Sequence, residues 1–120
     1  MMSKPYAGVA FVLVLAGTLA SQQQTDWINA ANNADIQYRV QVFDRAKACD
    51  LEYRDQKQGT GYTTFDVNVE YKSTELNSDN QPKTKTETEH IVTGPGHTGS
   101  SRISECSAVV EARVSLVQRH

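Results

Sequence analysis

Apolar and polar residues alternate along residues 106–116, and this period of two constrains the fold more than any other feature of the sequence. Every even position there is apolar, and most odd positions are polar or charged; only Val109 breaks the alternation. Successive side chains of a β-strand point to opposite faces. The stretch is therefore predicted to be a strand with one face on a core and the other in water.

Three earlier stretches show the same alternation. Their apolar sets are Ile36, Tyr38, Val40 and Val42; Cys49, Leu51 and Tyr53; and Phe65, Val67, Val69 and Tyr71. The Gly-containing turn at residues 58–61 predicts that the second and third of these strands form a hairpin. We therefore predict an all-β fold, a small antiparallel β-sandwich of immunoglobulin-like type with about five to seven strands. A small β-barrel is the alternative.

The N-terminus has the parts of a secretory signal peptide. Lys4 provides a basic start, residues 7–20 carry no charge, and small residues precede a polar stretch that begins at Ser21. The apolar run is shorter than the roughly twenty residues that a membrane span needs. We therefore predict that residues 1–20 are a cleaved signal peptide, that the protein is periplasmic or secreted, and that no membrane span remains.

The remainder is predicted to be one domain with a short leader. Residues 21–33 are polar and rich in amides, and residues 34–120 contain the alternating stretches. A short helix capped by Thr25 or Asp26 is predicted to run through Ala31, with Trp27 filling one end of the core. We accordingly expect a polar N-terminal segment followed by a β-sandwich domain.

The two cysteines are predicted to form a disulfide. Cys49 and Cys106 are the only cysteines in the sequence, and an exported chain enters an oxidising compartment. Two buried thiols are the alternative.

The charge balance bears on the class of partner. The formal net charge is −2, and removal of Lys4 with the signal peptide makes it more negative. A nucleic-acid surface requires clustered Lys and Arg in excess. We therefore expect a protein partner and no nucleic acid.

Residues 83–89 form the most unusual surface of the sequence. Threonines occupy one parity, and the other parity carries Lys83, Lys85, Glu87 and Glu89. Threonine suits a strand, and charge suits a sheet edge, where it discourages pairing with other chains. The stretch is therefore predicted to be an edge strand, which is either only protective or a partner-binding edge.

Residues 94–99 match the Gly-x-Gly-x-x-Gly pattern of dinucleotide sites. That pattern binds pyrophosphate only between a strand and a helix N-terminus. Because the next residues lead into a strand, we interpret the segment as a long, mobile hairpin loop.

Catalytic signatures are missing from the sequence. Neither a Gly-x-Ser-x-Gly elbow nor a His-Glu-x-x-His motif occurs. His90 and His97, with Glu89, are the candidate ligands for zinc or copper, although their spacing matches no known ligand pattern. We therefore predict a protein that is not an enzyme and has no cofactor.

Residues 99–104, Gly-Ser-Ser-Arg-Ile-Ser, follow a Gly-rich turn. In a small exported β protein this segment resembles segments of the periplasmic immunoglobulin-like chaperones that keep curli subunits soluble. The resemblance implies a chaperone role and assigns no functional residue.

Three functions follow as expectations. The first is an exported non-catalytic binding or structural module that recognises a protein or surface through loops or an edge strand. The alternatives are a periplasmic chaperone that inhibits amyloid assembly of a secreted subunit, and a small metal-binding protein that uses His90 and His97.

Overall fold

A computed structural model describes residues 22–95 and 97–120. The predicted signal peptide at residues 1–20 lies outside the described residues. Within the described part, no helix has the length and apolar character that crossing a membrane requires.

The described residues form eight β-strands in two antiparallel sheets. The strands are β1 (Gln22–Gln24), β2 (Ile28–Ala30), β3 (Asn33–Phe43), β4 (Ala48–Asp55), β5 (Thr63–Leu76), β6 (Pro82–Thr93), β7 (Gly99–Ser104) and β8 (Cys106–Arg119). In the five-stranded sheet, β1 and β2 both pair with β3, which pairs with β4, and β4 pairs with β7. The three-stranded sheet has the order β6-β5-β8.

The core lies between the two sheets, as expected for a sandwich. The apolar sets of β3 and β4 face that of β5, and Leu51, Phe65 and Val67 are fully buried. The rings of Tyr53 and Phe65 meet edge to face with their centroids 5.8 Å apart. The predicted all-β sandwich is therefore confirmed.

A disulfide bond joins the two sheets. Cys49 in β4 and Cys106 in β8 are bonded, with their Cα atoms 5.6 Å apart, and both side chains are buried. The predicted pairing is confirmed, and it links one sheet to the other.

The predicted hairpin between the second and third alternating strands is wrong. β4 pairs with β3 and β7, whereas β5 pairs with β6 and β8, so residues 56–62 cross from one sheet to the other. The connection from β6 to β7 also crosses between sheets, and is not the hairpin loop that we predicted. Turn-forming residues show where a chain bends but not which strand its next segment will pair with.

The alternation predicted for β8 holds only in part. Ala112 and Val114 are buried, but Val110 is 47% exposed and Leu116 is 74% exposed. Register shifts against β5 move the inward positions to Val109 and Val117, which pack on the core. An extra residue at a β-bulge changes which parity faces inward.

The N-terminal segment contains no helix in its described residues. Residues 25–27 are irregular, and β1 and β2 extend the five-stranded sheet beside β3. Trp27 does not fill the core. Its half-buried ring lies beside Arg39 and Arg54, two residues on the outer face of that sheet.

Candidate partner-binding edge

Residues 83–89 lie in β6, which forms one edge of the three-stranded sheet. We call this segment the β6 edge. Ten consecutive residue pairs join β6 to β5 from Thr63↔Thr93 to Lys72↔Thr84 without a register shift. The pairing is therefore regular from Thr84 to Thr93, and only Lys83 of the charged residues lies beyond it, next to the register shift between Lys72 and Leu76.

The charged side chains of the β6 edge point to the core side of the sheet. Glu89 lies opposite the buried Val67, and Glu87 lies opposite the buried Val69. Directly opposite residues of paired strands share a face. Inward-pointing charge is one of the ways in which proteins keep an edge strand from pairing with the wrong chain.

These charges keep access to water because β7 covers only one end of β6. A Cβ atom at Gly99 would lie 2.6 Å from Cγ2 of Ile91, so β7 begins in contact with that end. Directly after β7, the carbonyl of Glu105 accepts a hydrogen bond from the amide of Thr74 on β5. β7 thus runs away from β6 towards β5, and Lys85, Glu87 and Glu89 stay partly exposed.

Hydrogen bonds on β8 show which way its backbone groups point. The amide of Ala31 donates to the carbonyl of Ala112 at 2.8 Å. The side chain of Asn32 bonds both the N–H and the C=O of Val114 at 2.9 and 2.7 Å. The even residues of this part of β8 therefore point their backbone groups away from β5, and the odd residues point theirs towards it.

The registers of the paired strands show which way the backbone N–H and C=O groups of β5 and β6 point. Arg113 lies opposite Asn68, so the even residues of β5 bond to β8 and the odd residues bond to β6. Since Val69 lies opposite Glu87, the odd residues of β6 bond to β5. The even residues Thr84, Thr86 and Thr88 therefore point their backbone N–H and C=O groups outward, and no group in residues 22–95 or 97–120 bonds to these atoms.

Charge is unevenly compensated along the β6 edge. Lys83 and Lys85 both reach Glu75, at 3.4 and 2.6 Å. Glu87 and Glu89 have no cationic group within 4.0 Å in the described part of the chain. Burial, and then the neighbouring Glu87 carboxylate, raise the pKa of Glu89. Both lysines therefore have an acidic partner in Glu75, whereas neither Glu87 nor Glu89 has a basic partner among the described residues.

The opposite edge of the same sheet is less accessible. The register of β8 against β5 shifts at three places, and Asn32 and Ala31 occupy its outward groups at Ala112 and Val114. Bulges and covered backbone groups both prevent strand addition. β6 is thus the longer regular edge with unpaired backbone groups.

The candidate metal ligands have separate surroundings. His90 lies on the outer face of the three-stranded sheet, where its Nδ1 is 2.9 Å from Oδ1 of Asp66. Glu89 points to the other face, and His97 lines a pocket beside Trp27. Among the described residues, no three or more His, Cys, Asp or Glu side chains are grouped so as to hold a metal ion.

The pocket beside Trp27 has a volume of about 240 Å³. The guanidinium carbons of Arg39 and Arg54 lie 4.7 and 4.2 Å from the centre of the indole ring. Arg39 also pairs with Glu52 at 2.5 Å. Sequence reasoning missed this cluster, although the polar parities of β3 and β4 contained the signal.

No family model matches the chain, and neither does any curated protein or solved structure.

Proposed function

We propose that this protein is an exported, non-catalytic module that binds a protein partner along the β6 edge. The observation that carries the proposal is the row of unpaired backbone groups at Thr84, Thr86 and Thr88. An extended segment that adds to a sheet edge gains affinity from main-chain hydrogen bonds and specificity from alternate side chains.

The side chains of the β6 edge define the chemistry of such a partner. An added strand would place every second side chain beside Lys83, Lys85, Glu87 or Glu89. Like charges directly opposite each other destabilise a strand pair, and opposite charges stabilise it. The partner strand therefore needs acidic groups opposite the lysines and basic groups opposite the glutamates.

Two features support export to the periplasm or the cell exterior. The first is the signal-peptide pattern of residues 1–20. The second is the buried disulfide between Cys49 and Cys106, which is compatible with an oxidising compartment.

The test removes one outward N–H group. Thr86→Pro deletes the central donor of the β6 edge without removing a bond to β5, and proline is tolerated at such positions of edge strands. Thr86→Val is the matched control, because it keeps the N–H and replaces only the hydroxyl with a methyl group. With immobilised protein and extract of the exported fraction, we expect Thr86→Pro to capture at least about tenfold less of the bound partner.

Capture by Thr86→Val should equal that of the wild type. Equal capture by all three proteins would show that the β6 edge is not the binding surface. Circular dichroism and thermal unfolding of each variant establish that the sandwich is intact.

A chaperone for an aggregation-prone secreted subunit is the second candidate. Unpaired backbone groups on a regular edge are what a growing fibre strand pairs with, and the inward charges of β6 restrict which strands can pair with it. The resemblance of residues 99–104 to the curli-subunit chaperones favours the same role. Substoichiometric wild-type protein should delay fibre growth of a purified curli subunit, and Thr86→Pro should not. Unchanged growth with the wild type would eliminate this candidate.

A further inference from the structure

The β6 edge has a charge pattern that is complementary to its own reverse. Residues 83–89 are Lys-Thr-Lys-Thr-Glu-Thr-Glu. Reversal of this order about Thr86 places a glutamate where each lysine was, a lysine where each glutamate was, and a threonine on each threonine. A segment of this kind is complementary to a second copy of itself that runs in the opposite direction.

We propose that β6 pairs antiparallel with β6 of a second copy of this chain, about a twofold axis at Thr86. The two three-stranded sheets would then form one six-stranded sheet. This inference rests on the proposed function, because it names the partner that the same edge binds. Twofold interfaces are the commonest in homo-oligomers, and they require a self-complementary surface.

The proposed register pairs every charge with its opposite. Lys83 lies opposite Glu89 of the second copy, and Lys85 lies opposite Glu87 of the second copy. The axis generates both pairs twice, so the interface contains four pairs of opposite charge. Thr84 lies opposite Thr88, and Thr86 lies opposite its own equivalent. Cross-strand pairs of both kinds stabilise antiparallel sheets.

The backbone of β6 suits the same register. Because Thr84, Thr86 and Thr88 point their N–H and C=O groups outward, they would form the hydrogen-bonded pairs of the new ladder. The charged residues would then occupy the non-hydrogen-bonded pairs, where opposite Cα atoms are closer and side chains interact more strongly. The main-chain and side-chain requirements are therefore met by one arrangement.

Other registers oppose like charges or misalign the backbone groups, and are therefore less favourable. A shift of two residues in one direction places Lys85 opposite Lys85, and a shift in the other direction places Glu87 opposite Glu87. A shift of one residue would place the threonines, whose backbone groups point outward, opposite charged residues whose backbone groups bond to β5, so the new ladder could not form. Pro82 has no N–H group, so it weakens the ladder just beyond the charged segment.

The second copy would also supply what the single chain lacks. Glu87 and Glu89 have no cationic neighbour within 4.0 Å among the described residues, and the proposed pairing brings Lys85 and Lys83 of the second copy to them. The inner face is open for these contacts, because β7 diverges from β6 along this stretch.

Sedimentation velocity of the purified exported protein over a range of concentrations tests the proposal. Two charge-reversed variants are needed, Lys83→Glu with Lys85→Glu and Glu87→Lys with Glu89→Lys. Each variant alone opposes like charges in all four pairs, so we expect its self-association to be at least about tenfold weaker than that of the wild type. An equimolar mixture of the two should form heterodimers.

The variant with all four substitutions is the sharpest control. It has the composition and net charge of the wild type, and its pattern is again complementary to its own reverse. It should self-associate like the wild type but should not mix with it, because every pair in a mixed dimer opposes like charges. A second control, Glu70→Lys with Glu111→Lys, makes the same change in net charge as Glu87→Lys with Glu89→Lys, but on the outer face of the same sheet. It should leave self-association intact.

A wild type that stays monomeric at all concentrations would overturn the inference, as would a dimer that neither double variant weakens. The proposed function fails separately, if Thr86→Pro loses no binding to any partner. A monomeric wild type that still captures another protein in a Thr86-dependent way would refute only the self-pairing.

Discussion

Among single residues, Asp55 is a charged group with a buried side chain that bears directly on folding. Its side chain is 1% exposed, and it lies at the end of β4. Arg119 of β8 donates to both of its carboxylate oxygens at 2.7 and 3.1 Å, and Thr63 of β5 donates at 2.8 Å. Asp55 thus connects strands of both sheets through one carboxylate with satisfied hydrogen bonds.

Asp55→Asn should lower the free energy of unfolding by about 2–3 kcal/mol at neutral pH, because it leaves Arg119 without its charged partner. Burial raises the pKa of Asp55, but the hydrogen bonds from Arg119 and Thr63 outweigh it and hold the folded-state pKa below its ordinary value. The stabilisation is therefore complete above the ordinary pKa and is lost as the pH falls through the folded-state value.

Urea unfolding of the wild type and Asp55→Asn across this pH range measures the effect. The difference in unfolding free energy should be constant at neutral pH and should shrink as the pH falls below the ordinary pKa of an aspartate side chain. A difference that is the same at every pH would show that the Asp55 charge does not stabilise the fold.

At the scale of the strand, the bulges of β8 decide which side chains enter the core. Leu116 has a φ of 56°, a left-handed conformation that is unfavourable for a side chain with a Cβ atom. Its side chain is 74% exposed, while the next residue, Val117, packs on the core. The strand therefore places a strained, exposed leucine where strict alternation predicts a buried one.

Leu116→Gly should stabilise the protein by about 1 kcal/mol, because glycine adopts a positive φ without strain. Val117→Ala should destabilise it by about 1 kcal/mol through lost apolar burial. Chemical denaturation of both variants, with Leu116→Ala as the control for side-chain loss, measures these changes. A loss of about 3 kcal/mol in Leu116→Gly, typical of a buried leucine, would show that Leu116 is in the core.

Alternation predicted the inward residues of β3, β4 and β5 because those strands remain regular where they face the core. It was wrong at Leu116, where an extra residue changes the parity, and it does not determine which strand pairs with which. For the β6 edge, the charge pattern indicated an edge strand. The direction of its backbone groups depends on the hydrogen bonds of Ala31 and Asn32 to β8, which no local sequence pattern specifies.

At the scale of the whole molecule, the disulfide holds the two sheets together. Cys49 and Cys106 are separated by 57 positions in the sequence. In the chain-entropy description, closing a loop of this size stabilises the fold by about 4 kcal/mol, which is a large part of the typical stability of a small domain.

The double variant Cys49→Ala with Cys106→Ala should therefore have a free energy of unfolding about 4 kcal/mol lower than that of the oxidised wild type. Guanidinium unfolding with and without reductant measures the change. Reduction should destabilise the wild type to a similar extent and should leave the double variant unaffected. A double variant as stable as the oxidised protein would contradict this role.

If β6 is an open edge whose even residues point their backbone groups outward, amide hydrogen exchange will distinguish the even from the odd residues. In dilute protein, where a single chain predominates, we expect the amides of Thr84, Thr86 and Thr88 to exchange rapidly. The amides of Lys85, Glu87 and Glu89 should be protected by their bonds to β5. Equal protection of both sets in dilute protein would contradict the account, because it would show that β6 is not an open edge.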